Sequence, residues 1–162
     1  MIELKKWGFI AGIVILICVW QSWLIYHRAS SYEGTAAQKA VAEAKKQYHI
    51  SKIKDVSYYN GKQSYHVIRS VDKSGKDVYI WVPYKKDGKM FKEYVKDGLT
   101  KQEALQAFSK LNYDVRKIVS VRLGIDNNQP VWEITFTDHN KEYNYVYLYF
   151  KDGKEEGHIL HI

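Results

Sequence analysis

Two histidines near the C-terminus, His158-x-x-His161, form the first pattern in the sequence whose residue types suit a metal ion. A zinc centre needs three or four ligands. On a strand, residues three apart point to opposite faces, so this pair predicts terminal-strand histidines and no metal site. Ser70-Val71-Asp72-Lys73 has the Ser-x-x-Lys form of penicillin-interacting serine enzymes. That chemistry needs the serine at a helix start, with Ser-Asp-Asn and Lys-Thr-Gly elsewhere. Here the segment ends a strand-like run before Ser74-Gly75, and neither partner motif occurs. Asp126-Asn127-Asn128 and Asp138-His139-Asn140 resemble fragments of calcium loops but lack the required glycine and terminal glutamate, and read as turns. No Gly-rich phosphate loop, nucleophile elbow or Cys-x-x-Cys is present. The expectation is a protein without catalytic residues, cofactor or metal, and an enzyme is the least favoured class.

Aromatic residues are the stronger signal. Along Tyr143-Asn144-Tyr145-Val146-Tyr147-Leu148-Tyr149-Phe150, strand alternation places four tyrosines on one face and Val146, Leu148 and Phe150 on the other. Tyr79 and Trp81 alternate in the same way with Ile80 and Val82. A helix covers only one sheet face, which makes the aliphatic side the expected core and leaves the aromatic side over. Large amphipathic rings on an open sheet face favour protein interfaces, so Tyr79, Trp81, Tyr145 and Tyr147 are candidate partner contacts. The competing reading packs the same rings between parts of the chain itself.

Charge is the second signal. The chain carries a net +7, and residues 35–97 alone hold 14 Lys and Arg against 7 Asp and Glu. Residues 98–162 hold 8 against 9. Lys45, Lys46, Lys52, Lys54, Lys85 and Lys86 are candidates for an anionic surface, either lipid headgroups or teichoic acids. Lysines that merely solvate helix and hairpin surfaces are the alternative.

The elements that must carry these residues read as one unit used twice. Thr35-Ala36-Ala37-Gln38 and Thr100-Lys101-Gln102-Glu103 both have the capping-box form. Each opens a helical pattern: Ala37, Ala40, Val41, Ala44 and Tyr48 in the first, then Ala104, Leu105, Phe108 and Leu111 in the second. Strand-like runs follow at Ile53–Tyr59, Tyr65–Val71 and Val78–Pro83, and again at Val115–Ile125, Val131–Thr137 and Tyr143–Phe150. Asp87-Gly88-Lys89 and Asp152-Gly153-Lys154 mark a matching turn before a last short strand, and Asp72 aligns with Asp138. The predicted fold is α+β: an N-terminal transmembrane helix followed by two tandem α-β-β-β-β units, each a helix on an antiparallel sheet. Units this small bury little core, so the two are expected to pack on each other.

Among 162 residues, 46% hydrophobic content excludes a disordered chain, and a single Cys excludes a disulfide-stapled one. Trp7 to Tyr26 carries no formal charge, and about 20 helical residues span a hydrocarbon core. Lys5 and Lys6 precede this run and Arg28 follows it, favouring a cytoplasmic N-terminus. A cleaved signal peptide is the alternative, but the run is long and ends in Tyr26-His27-Arg28, where a peptidase needs small residues. The predicted layout is a cytoplasmic segment 1–6, a span 7–26, a linker 27–34, and extracytoplasmic units 35–97 and 98–162. No nucleic-acid role survives that placement.

The run Val78-Tyr79-Ile80-Trp81-Val82-Pro83, with Gly98-Leu99-Thr100 and Trp132-Glu133-Ile134-Thr135-Phe136, resembles the TseB/YpmB-like family of Gram-positive membrane-anchored proteins with tandem cystatin-like, PepSY-related units. The resemblance covers nearly the whole chain. It implies a regulator of cell-wall elongation that contacts a membrane-bound penicillin-binding protein, and it supplies no catalytic residues. Two other roles stay open: an inhibitor or chaperone of an exported peptidase, as PepSY-type units suggest, and a binder of anionic wall polymers.

Overall fold

The computed structural model describes residues 34–85 and 87–162. The expected segment 1–6, the span 7–26, the linker 27–34 except Gly34, and Lys86 lie outside the described residues. Among the described residues no helix is long and apolar enough to cross a membrane.

Helix α1 occupies 34–47 of the described chain. Ala40 and Ala44, one helical turn apart, are buried, and Val41 and Tyr48 pack beside them. Gly34 and Thr35 are themselves helical. Thr35 is therefore not the expected N-cap, since a capping residue has non-helical dihedrals. The second expected cap is present. Thr100 precedes α2 (Lys101–Ser109), its hydroxyl accepting from the Glu103 amide while the Glu103 carboxylate accepts from the Thr100 amide.

Strands β1 (Ile50–Asn60), β2 (Ser64–Asp72), β3 (Asp77–Pro83) and β4 (Phe91–Tyr94) form one antiparallel sheet in sequence order. Strands β5 (Lys117–Asp126), β6 (Gln129–Thr137), β7 (Tyr143–Tyr149) and β8 (Glu155–Ile159) form a second with the same order. A short 3-10 turn, Val95–Asp97, lies between β4 and α2. β5 starts two residues later than its apolar run suggests, and a register shift between Ile118 and Ser120 leaves Val119 exposed. Asn127 and Asn128, both at positive φ, make the two-residue β5–β6 turn, as asparagines do in type I′ hairpins.

The repeat extends to individual hydrogen bonds. The Asp72 amide donates to the Lys76 carbonyl (2.9 Å), and the Asp138 amide to the Glu142 carbonyl (3.2 Å). Oδ1 of each aspartate then accepts the amide four residues on, at 3.0 Å in both cases. Gly75 and Lys141 take the matching left-handed position, with φ of 82° and 70°. The side chain that both turns need is the aspartate.

Ala40–Ile162 forms one unit with two clusters of buried side chains. In the smaller, Ala40 and Ala44 of α1 meet Ile68, Val78, Ile80 and Val82, the aliphatic face of the first sheet. In the larger, Ala104 and Phe108 of α2 cover Ile134, Phe136, Val146 and Leu148, and the same cluster takes in Tyr59, Tyr65, Val67 and Trp81 from the first sheet. The two sheets thus share a core, as units too small to bury one alone require.

Candidate functional site

The aromatic residues of the two repeats have separate fates. Trp81 is fully buried and Tyr79 half-buried. Both rings meet Phe150 edge-on, at centroid distances of 6.2 and 6.0 Å. Trp81 is therefore not a surface contact: the sheet face left over by α1 is closed by the second repeat, and the rings lie inside that joint. The Trp81 indole nitrogen has no hydrogen-bond partner there, so its value is packing.

The second sheet keeps its aromatic row partly open. β6 and β7 pair Glu133 with Tyr147, Thr135 with Tyr145 and Thr137 with Tyr143. Tyr145, Tyr147 and Tyr149 are half-buried and Tyr143 is 47% exposed. Beside Tyr147, on the same face, Glu133 is 2% exposed and ion-paired to the Arg122 guanidinium. A buried carboxylate of this kind is tolerable because it is paired. Burial, followed by the Glu133 charge, pushes the Tyr147 hydroxyl up to about 12. It remains a neutral donor at any physiological pH. This face offers flat amphipathic rings, the neutral Tyr147 hydroxyl and an anchored ion pair, the kind of chemistry enriched at protein interfaces.

Between the sheets runs a groove of about 280 Å³ lined by Asp55, Arg69, Tyr79, Arg122, Leu123 and Trp132 among others. Its charges are mostly matched. Arg69 donates to Asp77 (3.2 Å), and Lys54 closes on the same carboxylate at 2.6 Å. The Lys54 contact, more than any other, holds the Asp77 carboxyl below the ordinary carboxylate range. Lys54 is thus committed to an intramolecular pair, whereas Lys45, Lys46, Lys52 and Lys85 are exposed.

His158 and His161 diverge, but not by strand alternation: His158 lies on β8, whereas His161 falls after the strand at positive φ. His158 meets Glu155 and the Tyr113 hydroxyl, and His161 instead lies against Glu142 and Asp138. Two features escaped sequence reasoning. Tyr59, 1% exposed, carries the first repeat onto the second beside Arg122. Its signal was Gly124, an isolated glycine in a strand, which marks close backbone approach. The Asp138–Glu142–His161 grouping was hidden because His161 lies 19 residues beyond Glu142 in sequence.

A cell wall elongation regulator TseB-like domain matches residues 39–83, and a PepSY domain (peptidase propeptide and YPEB domain) matches residues 98–148. The probable cell wall elongation regulator TseB of Bacillus subtilis (strain 168) is 31% identical over 145 residues, covering 90% of this chain and 89% of that protein. The chain belongs to the TseB-like family. The structure of the YpmB protein from Bacillus subtilis superposes on this TseB-like chain with a TM-score of 0.70 at 31% identity. That match covers 75% of this chain and 94% of the YpmB chain. The TseB-like segment runs from α1 through β3, and the PepSY segment from the α2 cap into β7.

Proposed function

We propose that this TseB-like protein is a non-catalytic regulator of cell-wall elongation. Anchored by residues 7–26 with its N-terminus in the cytoplasm, it acts outside the membrane by contacting a membrane-bound penicillin-binding protein. The observation that carries the contact surface is the half-open tyrosine row Tyr143, Tyr145, Tyr147 and Tyr149 on the second sheet. Kinship with a probable wall elongation regulator supports the setting, and the uncharged run Trp7–Tyr26 supports the anchor. Two proteins confined to one bilayer meet at high effective concentration, so a modest patch suffices. The exposed lysines Lys45, Lys46, Lys52 and Lys85 add attraction to lipid headgroups or teichoic acids. The test is co-purification from detergent-solubilised membranes. Tyr145→Ala with Tyr147→Ala should reduce recovery of a penicillin-binding protein while the thermal transition persists. Full recovery with the doubly substituted chain would remove this face from the contact.

A second reading draws on the PepSY match, whose description includes peptidase propeptides: inhibition of an exported peptidase. Dose-dependent inhibition of wall-associated proteases by the purified protein would favour it over the synthase contact.

A further inference from the structure

We propose that Asp138, Glu142 and His161 form a divalent transition-metal site, with zinc-type N/O coordination, at the end of the second sheet. His161 Nδ1 lies 2.8 Å from Glu142 Oε2 and 3.5 Å from Asp138 Oδ2, and one ligand atom from each of the three falls within 4.8 Å of the others. Zinc bonds of about 2.0–2.2 Å in tetrahedral array place ligand atoms about 3.3–3.5 Å apart. The His161–Asp138 separation already matches that spacing, and the His161–Glu142 one reaches it by a small outward shift of the half-buried Glu142 side chain. Three protein ligands leave the fourth position for water or an incoming donor.

The chain holds the three groups in place with separate contacts. Asp138 is 3% exposed, and its Oδ1 is fixed by the Glu142 amide at 3.0 Å. Its other oxygen, Oδ2, faces the Asn144 side-chain amide at 3.4 Å and His161. The segment after β8 is clamped by reciprocal bonds between Ile162 and Tyr143, both 3.0 Å, and by the His161 amide donating to Asn144 Oδ1 at 2.9 Å. These bonds deliver an imidazole to a turn 19 residues earlier in the chain.

The first repeat is an internal control. Its turn has the same backbone bonds and the same aspartate, Asp72, yet Lys76 stands where the second repeat has Glu142. The turn therefore closes without a glutamate or a histidine. The second repeat adds both, and a carboxylate, a carboxylate and an imidazole at one point make a mixed N/O donor set suited to Zn²⁺. A single Nδ1–H, by contrast, can serve only one of the two carboxylates at a time.

Isothermal titration of the full chain in detergent with ZnCl2, beside MgCl2, tests this. One equivalent of Zn²⁺ should bind through this site, with Mg²⁺ weaker. His161→Ala should weaken that binding at least about tenfold, Glu142→Gln should weaken it too, and His158→Ala should leave it unchanged. Far-ultraviolet circular dichroism checks that each variant is folded. Because His161 is 63% exposed as a side chain, its replacement by Ala leaves the core intact. No Zn²⁺ binding by the unaltered chain, or equal binding by His161→Ala, would overturn the site.

Discussion

The ring of Tyr59 lies against the backbone of Gly124, so close that a Cβ at position 124 would fall 2.3 Å from the ring Cζ. Tyr59 belongs to the first strand of one repeat and Gly124 to the first strand of the other. The joint between the repeats depends on the absence of one side chain. Gly124→Ala must displace a ring that is 1% exposed, and overpacking of this sort costs about 1–3 kcal/mol. Urea unfolding should give a lower midpoint with a similar m-value. A midpoint equal to that of the unaltered chain would mean that the ring has room to move.

Trp81 and the tyrosine row should respond in opposite ways. Trp81→Ala empties the core between the sheets, and such truncations cost about 3–5 kcal/mol. Trp81→Phe keeps most of the packing and removes an indole N–H that has no partner, so its cost should be well under that of Ala. Tyr145→Ala, at a half-buried site, should cost less than Trp81→Ala. Thermal melts of the three variants check the order.

How much of this was legible in the sequence follows from the range of each interaction. Alternation and turn residues are local, so six of the eight strands match their expected bounds within three residues, β1 beginning three residues earlier. The other two follow the Asp-Gly-Lys turns as expected, and the Thr100 capping box is legible directly. Which face of Tyr79 and Trp81 would be covered is a question of how two sheets meet, and alternation alone leaves it open. The aliphatic faces went where a helix was expected. The aromatic face of the first sheet went to the second repeat, while the tyrosine row of the second stayed partly open. His161 joins Asp138 and Glu142 only through the path of the chain after β8, which no periodicity encodes.

His66 predicts a pH dependence. It is 6% exposed beside Tyr58 and Tyr84, and burial pushes its imidazole below the ordinary histidine range. The unfolded chain then binds the proton more readily than the folded one. This contribution is present in full above about pH 6.5, the unfolded value, and is lost as pH falls from there through the lower folded pKa. His66→Phe keeps a ring in the same place and should flatten the change in urea midpoint between pH 7 and pH 5. The same slope in both proteins would assign the effect to other groups.

The second helix start gives an acid-range counterpart. Thr100→Ala removes the cap acceptor and should cost about 1 kcal/mol. The Glu103 carboxyl is held below its ordinary range by the Thr100 amide and then by the Thr100 hydroxyl. A carboxylate of this kind stabilises the fold above its unfolded pKa and stops doing so as pH falls through the folded one. The unaltered chain and Glu103→Gln should differ at pH 7 and converge as pH falls below the ordinary glutamate range. Stability curves that stay parallel throughout the acid range would contradict the box's ionic part.

In the proposed function, an anchored regulator meets a wall synthase through the second sheet. Photo-crosslinking in growing cells, with the reactive residue at Tyr147 and a control at the exposed Glu43 of α1, tests it most directly. Capture of a penicillin-binding protein from position 147 and not from position 43 is the predicted result. Equal capture from both positions, or none from 147, would contradict the account.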